Sequence, residues 1–332
     1  MLTIVGYHYI RELERNPFPR LKALELEKFA GQLDYIDKHY PVVSQQDVAR
    51  AACGTHQLPA NAIWLTFDDG LRDHWEFVFP RLRAREMTAS FFSSVCSVVD
   101  HRVLDVHKIH FMLAAVEDPS TLKDALLAEL DVWREQMQLP TNEELHARHA
   151  FAKRFDGSAI VFVKRVLQLG VPLPVRTAIT ASLFARFVSA DETAFAKQLY
   201  LNTSEMSEMV AGGMTIGGHG SRHEWLSTMS REQQEADVRA TLGFLASIYG
   251  RPATAPAFCY PHGSYNATTL EVLAAHDIPL AVTTAVGLVD DLSRPLELQR
   301  IDTNDLPFDR NAPLCDWTRR LPGAMPLTGG TS

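Results

Sequence analysis

Residues 62–70, AIWLTFDDG, join an apolar run to two adjacent aspartates and a glycine. The run has the composition of a buried β-strand. Carboxylates in contact raise each other's pKa, so a strand end does not readily keep Asp68 and Asp69 both charged. One interpretation is a turn, since Asp-Gly is a common hairpin signal. The other is a site in which one carboxylate binds a metal and its neighbour accepts a proton.

Strand-like runs and amphipathic helical patterns alternate on both sides of this segment. Strands are predicted at residues 2–5, 62–67, 88–95, 214–216, 257–260, 280–284 and 296–301, and helices at 27–39, 73–85, 231–249 and 268–276. This alternation belongs to the α/β class and predicts a parallel sheet or a (β/α) barrel.

Residues 105–204 break the alternation. They are rich in Ala, Leu, Glu and Arg, and they contain no Gly or Pro between residues 175 and 211. We interpret this stretch as a large helical insertion or cap between the two barrel segments 1–104 and 205–310. It is a natural place for a contact between copies of the chain, as in a homo-oligomer, or for a cover over an active site. Residues 320–332 are expected to form a disordered tail.

The bulk composition excludes several classes of protein. A formal net charge of -8 leaves no basic footprint for nucleic acid or an anionic membrane. The four cysteines are scattered without a C-x-x-C motif, which argues against a disulfide scaffold or a cysteine-based zinc knuckle. The N-terminus has no signal-peptide pattern, and no run reaches the roughly 18 apolar residues of a membrane span. We therefore expect a cytoplasmic protein.

Three segments share one pattern, an apolar strand followed by polar residues and glycine. They are residues 65–70, 214–227 and 257–266. In a (β/α) barrel the loops after the strands meet on one face, so these segments can converge. The second supplies His219 and His223, and two imidazoles with one carboxylate are a common ligand set for catalytic Zn²⁺. An isolated H-x-x-x-H more often has a surface or capping role, but its combination with a strand-terminal Asp-Asp-Gly favours a metal site.

T-F-D-D-G, a later H-G-S-R-H and then Y-P-H-G-S-Y resemble the polysaccharide deacetylase family (NodB homology, carbohydrate esterase family 4). The resemblance covers residues 1–100 and 205–302. It implies a distorted (β/α) barrel that uses a divalent metal to remove an N-acyl group, usually acetyl, from an amino sugar. By the same resemblance Asp69, His219 and His223 match the metal ligands, and Asp68 matches the general base.

The general acid is not where many family members carry it, because the late L-x-x-H motif has no convincing copy. A branch of the family instead has a Tyr-His element at its first strand, and this sequence has Val5-Gly6-Tyr7-His8 there. His8 is therefore the candidate acid. The alternative is a histidine packed beside two tyrosines.

The third segment departs from the family's R-x-P-Y-G element. Cys259 stands where the base-orienting arginine is expected, and His262 replaces the aromatic residue. Tyr260 and His262 are candidates for substrate or oxyanion binding, the latter through its backbone N–H. Arg300, on the last predicted strand, is a candidate to replace the missing arginine; the alternative is a surface salt bridge.

These features predict a metal-dependent amidohydrolase, with zinc as the first choice among divalent metals. The expected substrate is an intracellular N-acylated amino sugar in a glycan, a nucleotide sugar, a lipid-linked sugar or a natural-product precursor. The acyl group could be formyl instead of acetyl. The alternative from another class of protein is a catalytically silent sugar-binding protein. The absence of the expected arginine and of the late histidine motif favours this alternative.

Overall fold

The structure is a computed structural model that describes residues 1–151 and 157–320. The chain divides into two compact units: residues 1–11, 23–100 and 197 onward form unit 1, and residues 12–22 and 101–196 form unit 2. Residues 12–22, which the sequence interpretation left in the barrel, thus belong to unit 2, whereas 197–204 belong to unit 1. Apart from Arg320, the expected tail at 320–332 lies outside the described residues.

The strands of unit 1 form a closed barrel. The described strands are β1 (Leu2–Tyr7), β2 (Ile10–Arg11), β3 (Leu24–Glu25), β4 (Ala62–Phe67), β5 (Ser90–Ser93), β6 (Thr215–Gly218), β7 (Ala257–Cys259), β8 (Leu280–Val286) and β9 (Leu298–Asp302). All but β2 and β3 pair in parallel, in the order β1-β4-β5-β6-β7-β8-β9, and β9 closes the barrel against β1. The predicted (β/α) barrel is confirmed.

Alternate residues of each strand face opposite sides of the barrel wall. The inward set includes Ile4, Trp64 and Phe92, which pack in one buried cluster with residues of β7, β8 and β9. The outward set packs under the helices, as Leu65 and Phe67 do beside Phe29 of the first helix, Leu26–His39. Both faces of the wall are apolar, so the strands read as nearly continuous hydrophobic runs.

The helices in chain order are α1 (Leu26–His39), α2 (Gln45–Ala52), α3 (Phe79–Arg83), α4 (Val95–Val98), α5 (Asp105–Ala115), α6 (Pro119–Met137), α7 (Asn142–His149), α8 (Ser158–Arg165), α9 (Leu173–Phe187), α10 (Glu192–Leu199), α11 (Thr203–Ala211), α12 (Arg231–Tyr249), α13 (Ala267–Ala275) and α14 (Asp316–Arg319). Unit 2 is built mainly from helices, as the composition of its sequence predicts. The predicted helix 231–249 coincides with α12, whose first turn is closed by a capping box between Ser230 and Gln233.

None of the described helices combines the length and the apolar character that crossing a membrane requires.

The predicted helix at 73–85 is instead two pieces, a π-helical turn, His74–Val78, followed by α3. Single π turns inside helices are frequent at functional sites. This one begins a few residues after the Asp-Asp-Gly segment and so lies at the carboxyl end of β4.

The register of β1 and β4 brings two of the predicted site residues side by side. The strands pair over six positions, from Leu2 opposite Ala62 to Tyr7 opposite Phe67. The N–H of Asp68 then donates to the carbonyl of Tyr7 at 2.9 Å. His8 and Asp68, each the next residue after its strand, therefore leave the barrel at the same level.

Candidate metal centre

Asp68 and Asp69 end β4 with an abrupt change of backbone direction. Asp69 has a φ of 74° and Gly70 a φ of 61°, both in the left-handed region. At Gly70 a Cβ atom would also collide with the Ser93 hydroxyl, so glycine is required there twice over. This turn points neighbouring carboxylates in different directions, which allows them to have different roles.

Two histidines of the site also have left-handed backbone: His223 has a φ of 56° and His262 a φ of 57°. Such conformations cost about 1–3 kcal/mol in residues other than glycine and persist where the surrounding structure imposes them, often at functional sites. Nothing in the local sequence pattern signals them.

Asp69, His219 and His223 form a compact group of potential metal ligands. Asp69 Oδ1 lies 3.3 Å from His219 Nε2 and 3.5 Å from His223 Nε2. The two imidazole Nε2 atoms are 3.2 Å apart. Among the described residues this is the only group of three or more His, Cys, Asp or Glu whose ligand atoms come together in this way.

The tautomer of His219 is set by its second nitrogen. Nδ1 lies 2.7 Å from the carbonyl oxygen of Cys259, which can only accept, so Nδ1 carries the proton. Nε2 of the neutral ring is then an acceptor, and it faces the Asp69 carboxylate, also an acceptor. Two acceptors at this distance need a shared cation or an added proton between them. A ring N–H held by a backbone carbonyl is the usual arrangement behind a metal-binding histidine.

The distances also fit a metal. Ligand bonds of about 2.0–2.1 Å in a tetrahedron place the ligand atoms about 3.4 Å apart. The observed separations of 3.2, 3.3 and 3.5 Å bracket that value. Three protein ligands leave a fourth position for water or substrate, which is the composition of catalytic zinc sites.

The loop that carries the two histidines is anchored from α12. The N–H of Ser221 donates to both carboxylate oxygens of Asp237, at 2.9 and 2.6 Å. Asp237 is 5% exposed. This contact fixes the backbone between His219 and His223, and no motif in the sequence points to it.

Asp68 is held by Arg300 from across the barrel. Arg300 Nη1 and Nη2 donate to the two carboxylate oxygens at 2.9 and 2.7 Å. The guanidinium also donates to the Thr283 carbonyl at 2.9 Å and to the Thr66 hydroxyl at 3.1 Å. Arg300 is 7% exposed, so the alternative of a surface salt bridge is wrong. The arginine that Cys259 lacks is thus supplied by β9, and its guanidinium lies 3.5 Å from the Cys259 sulfur.

The pair determines the charge of the base candidate. Burial by itself raises the pKa of Asp68, but the Arg300 guanidinium more than offsets it and lowers this pKa to about 2. Asp68 is therefore ionised throughout the neutral range. A carboxylate has about four lone-pair sites, so the two donated by Arg300 leave room for a water molecule.

His8 faces the same carboxylate from the open side of the site. Its Nε2 is 3.7 Å from Asp68 Oδ2, and its side chain is 51% exposed. The alternative of a histidine packed beside two tyrosines is therefore wrong.

The third segment contributes differently from its prediction. The His262 ring stacks on Trp225, with centroids 4.5 Å apart, and lies edge-on to His223 at 4.6 Å. Tyr260 is buried, stacks on Tyr265 and donates its hydroxyl to the Leu296 carbonyl at 2.8 Å. The expectation that the Tyr260 side chain binds substrate is therefore corrected, because that side chain packs outside the barrel wall. His262 remains beside the ligand group.

Comparisons with known proteins show what the chain resembles. The family model described as "Polysaccharide deacetylase" matches residues 178–281, which include both candidate metal-ligand histidines and the Tyr260–His262 segment. A comparison with curated protein sequences finds no match.

Several solved structures share the fold. A Streptococcus pyogenes deacetylase, PplD, determined in complex with acetate, superposes with a TM-score of 0.56 at 19% identity, and the match covers 91% of each chain. IcaB from Ammonifex degensii gives 0.55 at 16% identity, again over 91% of each chain. A de-N-acetylase from Aggregatibacter actinomycetemcomitans gives 0.51 at 13% identity, over 94% of this chain and 97% of that one.

At these identities the structural likeness establishes the fold alone. The resemblance seen in the sequence is confirmed over residues 178–281, where the chain matches the polysaccharide deacetylase model.

Proposed function

We propose that the protein is a metal-dependent carbohydrate deacetylase that hydrolyses the N-acetyl group of an amino sugar. The observation that carries the proposal is the spacing of Asp69, His219 and His223, which suits a divalent metal, beside an ionised Asp68. The family match supports carbohydrate deacetylation.

Hydrolysis of an amide needs help at the carbonyl, at the attacking water, at the developing oxyanion and at the leaving nitrogen, and the site has a candidate group for each. A divalent metal bound by Asp69, His219 and His223 would supply a Lewis acid that polarises the carbonyl and lowers the pKa of water. Asp68 accepts the proton of the attacking water, and its ionised form is maintained by Arg300. The backbone N–H of His262 is the candidate donor to the oxygen that becomes negative.

The leaving nitrogen must gain a proton before the C–N bond breaks, since an amide anion is a very poor leaving group. His8 is placed for this step, on the side of Asp68 that is open to solvent. One water is consumed: its hydroxyl group goes to the acyl carbon, the C–N bond breaks, and the products are the carboxylic acid and the amine. Asp68 holds the proton taken from the water and His8 has given one to the nitrogen, so Asp68 returns to its starting state by losing a proton and His8 by gaining one, directly or through solvent.

The acetyl group is favoured because two proteins of the same fold carry matching descriptions, one a deacetylase with bound acetate and one a de-N-acetylase. Formyl is the alternative acyl group and would use the same residues. The substrates to compare are free, nucleotide-linked and lipid-linked amino sugars and oligosaccharides, because the sequence leads us to expect a cytoplasmic protein.

A screen of N-acetyl and N-formyl sugars in these forms, with released acetate or formate as the readout, tests the function. Release of acetate from one class supports the proposal and names the substrate. Activity confined to formyl sugars would replace deacetylation by deformylation.

Metal analysis separates the enzyme from a silent sugar-binding protein. We expect one divalent metal per chain in the parent, none in Asp69→Ala, and loss of activity on chelation with recovery on adding Zn²⁺. Equal metal in both proteins would show that the ligand assignment is wrong. Metal binding with no hydrolysis of any substrate in the screen would favour the silent protein.

A further inference from the structure

The segment that carries His8 leaves the barrel after β1 and is held by two residues of another loop. The His74 ring lies with Nε2 at 3.1 Å from the carbonyl oxygen of His8. Asp73 Oδ2 accepts from the N–H of Ile10 at 3.3 Å and from Arg11 Nε at 2.7 Å. Two backbone contacts, at His8 and Ile10, thus hold the chain on both sides of Tyr9, and a third contact holds the Arg11 side chain.

The donor in the contact between His74 and the His8 carbonyl is identified in the same way as for His219 and the Cys259 carbonyl. A carbonyl oxygen only accepts, so Nε2 of His74 must carry a proton and donate it. Nδ1 of His74 is buried without a hydrogen-bond partner, as expected for the bare nitrogen of a neutral ring. Burial lowers the pKa of His74 to about 4, which is consistent with this neutral form. The ring is fully buried against the aromatic rings of Phe67 and Phe91.

Asp73 has a similar position. It is 7% exposed, and its nearby cation, Arg11, is also largely buried. A buried carboxylate is costly unless it is paired and hydrogen-bonded, and Asp73 is both. Both of these contacts go to β2, the short strand that follows His8.

These two anchoring residues come directly after the base-bearing loop. Asp73 and His74 are four and five residues beyond Asp69, at the start of the π-helical turn. The loop that carries Asp68 therefore also contacts, through Asp73 and His74, the segment that carries His8. His8 itself is half exposed, so side-chain packing alone does not fix its position.

We propose that Asp73 and His74 are positioning residues for the general acid. They hold the backbone of residues 8–11 so that the His8 imidazole stays beside Asp68 and within reach of the leaving nitrogen. The proposal rests on the proposed function, in which His8 protonates that nitrogen. The alternative is a purely structural role, in which the same contacts only stabilise the fold.

The test uses His74→Phe, which keeps an aromatic ring in the cluster but removes the N–H donor. Tyr7→Phe is the matched control, because Tyr7 is fully buried in the neighbouring aromatic cluster and its hydroxyl has no hydrogen-bond partner. We expect His74→Phe to lower kcat for the N-acetyl sugar about 10- to 100-fold, the scale for a small misplacement of a catalytic group. Metal content should be unchanged in both variants, and Tyr7→Phe should keep the parent kcat.

A double-mutant cycle decides whether His74 acts through His8. If it does, His74→Phe causes no further loss in a His8→Ala background. A full additional loss in that background would overturn the proposal and leave a structural role. His8→Ala with parent activity would instead overturn the assignment of His8 as the acid, which is a separate failure of the proposed function.

A second readout varies the leaving group. The acetate ester of 4-nitrophenol releases its phenolate without needing a proton. His74→Phe should therefore retain parent turnover of this ester while losing turnover of the amide. An equal loss for both would overturn the proposal. If His74→Phe fails to fold, His74→Gln, whose amide can donate to the same carbonyl, and Asp73→Asn are measured in the same cycle. We expect His74→Gln to keep a kcat near that of the parent, and Asp73→Asn to lose kcat only when His8 is present. A loss of kcat in both variants that is the same with and without His8 would contradict the proposal.

Discussion

Arg300 and Asp68 form a bidentate ion pair inside the barrel, with N–O distances of 2.9 and 2.7 Å. The partners come from opposite ends of the sequence, 232 residues apart. Both are buried, so neither charge is stable there without the other. The pair therefore couples the fold of β9 to the protonation state of Asp68, the proposed base.

Arg300→Met should change the pH dependence of the reaction. The guanidinium lowers the pKa of Asp68 to about 2 from an ordinary 3.8, against a burial that raises it. Its removal leaves the effect of burial opposed only by the weaker interactions with His8 and His219, so Asp68 binds a proton at a higher pH and the acid limb of kcat/KM moves upward by about two pH units. Breaking a buried pair should also cost about 3–5 kcal/mol of unfolding free energy.

Arg294→Met is the control for Arg300→Met, since Arg294 is 75% exposed and pairs with Glu297 at the surface. It should leave both the pH–rate profile and the stability near those of the parent. A pH profile of Arg300→Met that coincides with the parent's would show that Arg300 does not govern the base.

Asp68→Asn and Asp69→Ala should distinguish the roles of the two adjacent carboxylates. Asn at 68 leaves the three ligands in place, so metal content should equal the parent's while kcat falls about 10²–10⁴-fold through loss of the general base. Asp69→Ala should lose the metal itself. Metal content by elemental analysis and turnover of the same substrate check both; loss of metal in Asp68→Asn would reverse the assigned roles.

Much of this site follows from local patterns in the sequence. The strand at 62–67 and its terminal Asp-Asp-Gly are a local signal, as are α12 and the pair of His219 and His223. Alternation of strands and helices is enough to predict that their ends converge.

The contacts that tune the site are set by tertiary packing and escape such patterns. The partnership of Arg300 with Asp68 joins distant strands, and Asp237 reaches the histidine loop from a helix. The π turn at 74–78 looks like an ordinary helix in sequence, because its apolar spacing differs little over so short a stretch. Left-handed backbone at Asp69 has no signature beyond the glycine that follows.

Cys259→Ala should leave an active enzyme. The carbonyl of Cys259, not its thiol, holds His219, and alanine keeps that carbonyl. Burial raises the pKa of the thiol, so it stays protonated and is a poor nucleophile. We expect kcat within about tenfold of the parent and a stability loss of about 1 kcal/mol from the small cavity. Complete loss of turnover with metal retained would instead give the thiol a catalytic part.

Gly6→Ala tests how tightly the ion pair is packed. A Cβ at residue 6 would lie 3.3 Å from both Cζ and Nη1 of Arg300, closer than ordinary van der Waals contact. The guanidinium must then shift by a few tenths of an ångström away from β1, which weakens its hold on Asp68. We expect kcat to fall about tenfold with metal content unchanged, since a small displacement of catalytic groups is enough for such a loss. Gly243→Ala is the matched control: it lies in α12 with open space around the added methyl, and it should keep activity and gain about 0.5–1 kcal/mol of stability. If Gly6→Ala also kept the parent kcat, the base would tolerate a displaced arginine, and the close fit of Arg300 against β1 would serve the fold and not the reaction.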